Sequence, residues 1–270
     1  MPKVKVGDVN IYYEVHGEGE PLVLITGFTA SIEMWFRTIP VFSPEYRMIL
    51  FDNRGAGRSD APDIPYTMGM MADDIAGLLD AIGINSAHIY GMSMGGMIAQ
   101  HFALRYPKRV TSLTLGCTTC GGPHSIMADA ETTSFMMQSV PKLTPEEGTR
   151  EIMHLCLSQE FIDKNPDLIE QMVAKMMEHP APPHGMMRQG EAIMGHDTYE
   201  RLPEIKVPTL VIAGDADRLI PVENSRILAS RIPNAELAIL NNMGHLFGLE
   251  AEDKSNRIML DFLRRHRRAS

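Results

Sequence analysis

The 270-residue sequence predicts an α/β fold, with a mainly parallel central sheet flanked by helices and a helical cap inserted after the sixth strand. Two observations lead to this prediction. Short apolar runs, typical of strands covered on both faces, alternate with longer segments of helical periodicity. The alternation stops over residues 121–202, where helical segments are broken by prolines. We therefore expect a core domain of residues 1–120 and 203–270 and a helical cap of residues 121–202 packed on it.

The elements can be placed in order along the chain. Residues 3–6 and 9–16 alternate in polarity and flank Gly7-Asp8, a turn signal that predicts an antiparallel hairpin. Six further strands are predicted from apolar runs, and helices fall between several of them. These strands are residues 21–26, 47–51, 87–90, 110–115, 208–213 and 235–240, and the helices are residues 70–82, 95–105, 221–232 and 252–265.

The composition excludes several classes of function. With 25 basic against 34 acidic side chains, the net charge of −9 argues against nucleic acid as the main partner. The basic cluster at residues 264–268 is at the C-terminus, where we expect a solvated helix end. No apolar run approaches the ~20 residues of a membrane helix, and the first ten residues lack the pattern of a secretory signal. We therefore expect a cytoplasmic protein with no membrane partner.

The cysteine content agrees with a reducing compartment. Three cysteines, Cys117, Cys120 and Cys156, are too few for a disulfide framework. Cys117 and Cys120 have C-x-x-C spacing, but they end an apolar strand and no second pair accompanies them. We expect buried or loop residues here rather than a redox or zinc site.

The motif that carries most chemical information is Gly91-Met92-Ser93-Met94-Gly95, which matches G-x-S-x-G. It lies between a predicted strand and a predicted helix, the context in which such a serine is a nucleophile. A sharp turn at this point projects the hydroxyl from the sheet, and the small flanking glycines remove clashes. The helix that follows places its positive dipole end beside the serine. The pattern therefore predicts a reactive Ser93.

A serine hydroxyl needs a base, so the prediction requires a histidine and a carboxylate in suitable loops. Asp215 and Asp217 follow the predicted strand at residues 208–213, and His245 follows the strand at residues 235–240. The chain order serine, acid, histidine is the one described for the α/β-hydrolase arrangement. The remaining histidines have no comparable placement.

Over nearly its whole length the chain resembles the α/β-hydrolase family. Besides the serine motif, residues 51–60 resemble the D-x-R-G-x-G-x-S segment, residues 214–221 the G-x-x-D-x-x-x-P acid loop, and Gly244-His245 the histidine loop. By this resemblance Asp217 takes the position of the orienting acid, with Asp215 as the alternative. The serine motif and residues 115–118 look most like those of enol-lactonases and carboxylesterases.

The resemblance implies a role for each residue. Ser93 attacks a carbonyl, His245 accepts its proton and returns it to the leaving group, and Asp217 orients and stabilises the imidazolium. The backbone N–H groups of Phe28 and Met94 would form the oxyanion hole. Many relatives carry His-Gly where this chain has Thr26-Gly27, which leaves the geometry of that loop open.

The remaining site residues are predicted from position and residue type. Trp35, Met127 and Met136 are candidate substrate-binding residues, because flexible methionines of the cap can line an apolar pocket. Trp35 is equally suited to the core. No pair of histidines has metal-ligand spacing beside a third ligand, so we expect no metal and no cofactor.

These residues predict a serine hydrolase that cleaves an ester or lactone of a small to medium, partly apolar substrate through an acyl-enzyme. Carbon–carbon bond hydrolases use the same three groups, and a small-molecule receptor could retain them, so both remain alternatives. A serine nucleophile disfavours the dehalogenases and epoxide hydrolases of this fold, which use an aspartate. The sequence leaves open whether the chain forms a homodimer.

Overall fold

Eight strands form one sheet, in the order β1-β2-β4-β3-β5-β6-β7-β8, in the computed structural model of the protein, which describes residues 3–267. The strands are β1 (Lys3–Val6), β2 (Val9–His16), β3 (Glu20–Ile25), β4 (Tyr46–Phe51), β5 (Ala87–Met92), β6 (Val110–Gly116), β7 (Thr209–Gly214) and β8 (Ala235–Leu240). β1 and β2 pair antiparallel, as does β2 with β4, and every other neighbouring pair is parallel. The carboxyl ends of the parallel strands therefore meet at one edge of the sheet.

The helices cover both faces of this sheet. They are α1 (Ile39–Phe42), α2 (Met68–Ala81), α3 (Met94–Arg105), α4 (Ala130–Ser134), α5 (Pro145–Cys156), α6 (Gln159–Lys164), α7 (Pro166–Met177), α8 (Pro183–Met194), α9 (Glu223–Arg231), α10 (Phe247–Glu250) and α11 (Glu252–Arg265). Alternate residues of β3 point to opposite faces: Val23 packs in one apolar cluster with α2, α3 and α9, and Leu24 packs in a second with α10 and α11. Both faces are buried, which explains the continuous apolar runs in the sequence.

Helices α4 to α8 all lie between β6 and β7 and have a small apolar core of their own. This core includes Met153 on α5 and Ile169, Met172 and Val173 on α7. Pro145, Pro166 and Pro183 occupy the first position of α5, α7 and α8, where a missing N–H costs no hydrogen bond. A single π-helical turn, Phe135–Ser139, follows α4.

The predicted α/β class, the mainly parallel sheet and the helical insertion after the sixth strand are confirmed. Each predicted strand and helix begins and ends within two residues of its observed bounds. No helix within residues 3–267 is long and apolar enough to cross a bilayer. In the basic cluster at residues 264–268, Arg264 pairs with Glu45 and Arg265 with Glu236, whereas Arg268 lies outside the described residues. Residues 1–2 and 268–270 of the expected core domain also lie outside them.

Candidate active site

Ser93 sits on a sharp turn between β5 and α3. Its backbone is at φ 57° and ψ −123°, a strained conformation that non-glycine residues seldom adopt. Its N–H donates to the carbonyl of Gly116 at the end of β6, over 2.9 Å. A Cβ atom on Gly91 would lie 2.2 Å from the carbonyl oxygen of Gly95, and one on Gly95 2.2 Å from that of Ile25. The two glycines therefore allow the tight packing that holds Ser93 at the carboxyl edge of the sheet.

An acid and a histidine meet at the same edge. Asp217, in the loop after β7, accepts a hydrogen bond from His245 Nδ1 over 2.7 Å, and both side chains are buried. The other carboxylate oxygen of Asp217 accepts the N–H groups of Leu219 and Ile220, each over 2.9 Å. Asp215 instead accepts the N–H of Asn242 and is exposed. The structure thus brings Asp217, rather than Asp215, to His245.

In the part of the chain that the structure describes, no hydrogen bond joins the hydroxyl of Ser93 to the ring of His245. They share a neighbour, Cys117, which follows β6. The Cys117 thiol interacts with the backbone of Ser93 and with the His245 ring, and its sulfur lies within 4.8 Å of ligand atoms of both Asp217 and His245. In ligand-free enzymes the hydrogen bonds of a catalytic base are often long and tighten when substrate binds.

The charge on Asp217 controls the proton affinity of His245. Burial by itself lowers the pKa of an imidazole, because it penalises the charged form. Here the adjoining Asp217 carboxylate outweighs burial and holds the pKa of His245 well above 6.5. His245 is thereby a stronger base than an ordinary buried histidine.

The loop after β3 passes directly over the serine. A Cβ atom on Gly27 would lie 3.3 Å from Ser93 Cβ, a tight contact, so the glycine lets this loop approach the serine closely. The N–H of Phe28 comes next in this loop, and the N–H of Met94 is the first of α3, where helical amides have no partner within the helix. Thr26, which replaces the histidine of many relatives, is held by Asn53, whose Nδ2 donates to its hydroxyl and its carbonyl over 3.0 and 3.1 Å.

Hydrogen bonds join the histidine loop to the cap. Glu250 on α10 accepts the N–H of Gly244 over 2.5 Å and, through its other oxygen, the N–H of Ser158 over 2.6 Å. The N–H of Leu246 donates to the carbonyl of Cys156, the last residue of α5, over 3.0 Å. Neither Glu250 nor Cys117 was predicted as a site residue, and only the position of Cys117 at the end of a parallel strand could have pointed to it.

The three predicted substrate-binding residues have different surroundings. Trp35 is 3% exposed and packs on Tyr90, with ring centroids 5.4 Å apart. It lines a cavity of about 60 Å³ together with Met92 and Leu246, the chain neighbours of Ser93 and His245. Met127 is exposed in a loop, and Met136 is half-buried in the π-helical turn.

Two groups of side chains within the described residues have the spacing of metal ligands. One is Cys117 with Asp217 and His245, and the other is Glu33 with Glu178 and His179. In the first group His245 and Asp217 already satisfy each other, and burial raises the pKa of the Cys117 thiol, which keeps it protonated. In the second group, the guanidinium of Arg58 binds Glu33 over 2.5 Å and repels a cation. Cys117, Cys120 and Cys156 are all free and buried.

Comparison with known proteins agrees with this architecture. A family model described as the alpha/beta hydrolase fold matches residues 20–252. The chain is 32% identical to a protein of Azorhizobium caulinodans provisionally named carbamate hydrolase RutD, over 97% of this chain and 98% of that protein. It is 33% identical to a poly(3-hydroxyalkanoate) depolymerase of Ectopseudomonas oleovorans, over 92% and 85%. Among solved structures, the enol-lactonase of Burkholderia xenovorans superposes with a TM-score of 0.86 at 25% identity, over 97% and 99% of the two chains.

Proposed function

The chain belongs to the alpha/beta hydrolase fold family and is a hydrolase, and we propose that it cleaves carboxylic esters or lactones through an acyl-enzyme on Ser93. One observation supports this proposal most strongly. A serine on a strained strand-to-helix turn shares one end of the sheet with a buried histidine whose Nδ1 binds Asp217 over 2.7 Å. Because Asp217 accepts the hydrogen bond of the Nδ1–H group, the proton of neutral His245 stays on Nδ1 and the lone pair of Nε2 is free to accept another.

The proposed reaction has two halves. In the first, His245 Nε2 takes the proton of Ser93 Oγ as the oxygen attacks the carbonyl carbon, and the imidazolium then protonates the departing alkoxide. In the second, water gives a proton to His245, attacks the acyl-enzyme, and releases the acid as Oγ regains its proton. In this reaction the N–H groups of Phe28 and Met94 bind the oxyanion of both tetrahedral intermediates. These roles require no metal and no cofactor.

The substrate class is inferred from the chemistry of the site and from the relatives. A carbonyl carbon beside an oxygen leaving group is the simplest target for these groups. A lactonase and a polyester depolymerase among the similar proteins support an ester substrate. A carbamate also presents a carbonyl to the same serine, and the relative provisionally named for carbamate hydrolysis makes it the first competing substrate to measure.

The proposal is tested by comparing wild-type protein with Ser93→Ala on p-nitrophenyl acetate and butyrate, a small lactone and an aryl carbamate. We expect many turnovers on the esters or the lactone by wild type, unaffected by a chelator. We expect a loss of at least about 10³-fold in Ser93→Ala, because the nucleophile is gone. Ser230→Ala, which removes an exposed hydroxyl, is the matched control and should match wild type.

The outcome separates three explanations. Wild-type activity in a folded Ser93→Ala protein would contradict the role of Ser93. Turnover of the carbamate alone would reject the ester assignment while leaving the triad intact. Binding with no more than a single slow turnover would favour a receptor that retains the fold.

A further inference from the structure

One side chain of the cap reaches into the core domain beside the serine. Gln189 on α8 is fully buried, with no exposed surface. Its Oε1 accepts the N–H of Thr29 over 2.8 Å, and its Nε2 donates to the carbonyl of Arg54 over 2.8 Å. Both partners are backbone atoms of the core domain, so the amide of Gln189 joins the cap to two loops at the carboxyl edge of the sheet.

The contact with Thr29 holds a strained loop. Thr29 has φ 58°, a left-handed conformation that is uncommon for a β-branched residue and persists only when its surroundings enforce it. The hydroxyl of Thr29 also donates to the carbonyl of Phe28 over 2.7 Å. The peptide unit between Phe28 and Thr29 is therefore held at both of its polar ends, at the nitrogen by Gln189 and at the oxygen by the Thr29 side chain.

This peptide unit adjoins the proposed oxyanion donor. The N–H of Phe28 belongs to the preceding peptide unit, and only the φ and ψ rotations at Phe28 separate the two. Gly27, at the other end of that unit, is packed against Ser93, because a Cβ atom on Gly27 would lie 3.3 Å from Ser93 Cβ. Because the peptide unit after Phe28 is fixed, the Phe28 N–H can point in only a narrow range of directions. This range is toward the oxygen of a substrate carbonyl that Ser93 attacks.

Docking of the cap does not depend on Gln189 alone. On the same helix, Arg188 forms an ion pair with Asp63 over 2.9 Å, and His184 Nε2 lies 2.8 Å from the carbonyl oxygen of Ala61. These contacts reach residues 61–63, in the connection after β4 that also contains Arg54, and not the loop after β3 that carries Phe28 and Thr29. A variant at Arg188 therefore weakens the attachment of α8 without touching the loop above Ser93.

We propose that Gln189 is a positioning residue, through which the cap fixes the oxyanion loop in its working geometry. The inference depends on the proposed acyl-enzyme mechanism. It explains the burial of an uncharged amide with each of its ends on a backbone atom of a core loop. A position of the cap in which α8 moves away from the sheet would release Thr29 and loosen the oxyanion hole.

The test compares Gln189→Leu, Gln189→Glu and the control Arg188→Gln with wild type on p-nitrophenyl butyrate. Leucine nearly conserves volume and removes both hydrogen bonds, whereas glutamate keeps an acceptor for Thr29. We expect kcat to fall by roughly 10- to 100-fold in Gln189→Leu, with KM within about threefold of wild type, because a misplaced donor acts on the transition state. Gln189→Glu should recover part of that loss, and Arg188→Gln should stay within about threefold.

A second readout separates positioning from damage to the fold. Trifluoroacetophenone adds to the serine and presents an oxyanion, so its affinity should fall in Gln189→Leu by the same factor as kcat/KM. Affinity for p-nitrophenyl butyrate, measured by equilibrium dialysis in the Ser93→Ala background, should not change. If Gln189→Leu does not fold, Gln189→Met, which also lacks both hydrogen bonds, takes its place in the same comparison.

Three results would overturn the inference: an unchanged kcat in folded Gln189→Leu, an equal loss in Arg188→Gln, or a fallen kcat with unchanged ketone affinity. A wild-type protein that neither turns over the ester nor binds the ketone would contradict the proposed function, and this inference with it. An active wild type beside an unaffected Gln189→Leu would overturn only the positioning role.

Discussion

Asp217 and His245 determine how the proposed activity depends on pH. General-base catalysis needs neutral imidazole, and the Asp217 carboxylate holds the pKa of His245 above 6.5. We therefore expect kcat/KM on a neutral ester to rise with pH through a value above 6.5. In Asp217→Asn the carboxylate is gone and burial lowers the pKa, so this limb should move to lower pH. The maximal rate should fall by roughly 10³- to 10⁴-fold, because the imidazole loses its orientation and its counter-charge.

Asp215→Asn is the matched control, since Asp215 lies in the same loop and accepts only the N–H of Asn242. Its pH profile should overlay that of wild type. An acid limb that stays in place in Asp217→Asn would show that another group controls the protonation of His245.

The sequence identifies the proposed catalytic side chains but not their neighbours. Ser93 lies in a local motif, and the acid and the histidine follow strands that the apolar runs reveal. Glu250 and Gln189 each make two hydrogen bonds to backbone groups, and at least one of the two partners lies far away in the chain. An ordinary helical Glu or Gln gives no local sign of such a bond. Cys117 was expected to be a small buried or loop residue, which it is, but its contact with His245 depends on the course of the loops after β6 and β8, two strands that β7 separates in the sheet.

The joint between the cap and helix α3 contains a buried histidine, His196, and a half-buried one, His101. His101 on α3 and His196 after α8 approach within 3.2 Å through their ring nitrogens, and His196 also lies 3.1 Å from the carbonyl oxygen of Thr119. Burial lowers the pKa of His101 and of His196 to about 4 in each case. The chain enters and leaves the cap side by side here, where the N–H of Thr198 donates to the carbonyl of Cys120.

Because of these two histidines, we expect the free energy of unfolding to decrease in mild acid. Between pH 6.5 and pH 4 these histidines bind protons in the unfolded chain but stay neutral in the native protein. Their contribution to the free energy of unfolding is therefore complete above pH 6.5 and decreases as the pH falls toward 4. Each unit of pKa difference corresponds to about 1.4 kcal/mol, so the two histidines can lower the free energy of unfolding by a few kcal/mol at pH 4. Urea unfolding of wild type and His196→Gln at pH 7 and pH 5 should show a smaller pH effect in the variant.

His124→Gln provides the matched control, because His124 is exposed on the cap and stacks on Tyr199. It should lose as much stability between pH 7 and pH 5 as wild type. An equal loss in His196→Gln would show that the histidine joint does not cause the acid sensitivity.

The strands and the longer helices of the core domain were predicted within two residues, because strands buried on both faces leave continuous apolar runs and the helices between them keep their period. The cap was predicted only as a helical region, without bounds for its helices. The short elements were missed. Helix α10 spans only Phe247–Glu250, and the π-helical turn spans Phe135–Ser139. Four or five residues are too few to display a helical period, and tertiary packing rather than local propensity stabilises such turns.

For the molecule as a whole, the cap is bonded to the catalytic loops at two places. Gln189 binds the loop after β3, and Glu250 with the carbonyl of Cys156 binds the cap to the histidine loop. Hydrogen bonds therefore join the cap both to the loop that passes over Ser93 and to the loop that carries His245. This arrangement allows a substrate that contacts the cap to influence the geometry at Ser93.

The central claim is that His245 activates Ser93 for attack on an electrophile. It is tested most directly by treating the protein with diethyl p-nitrophenyl phosphate and locating the adduct by peptide mass spectrometry. We expect one diethylphosphoryl group, on Ser93, none in Ser93→Ala, and labelling slowed by on the order of 100-fold or more in His245→Ala. Labelling of another residue, or an undiminished rate in folded His245→Ala, would contradict the account.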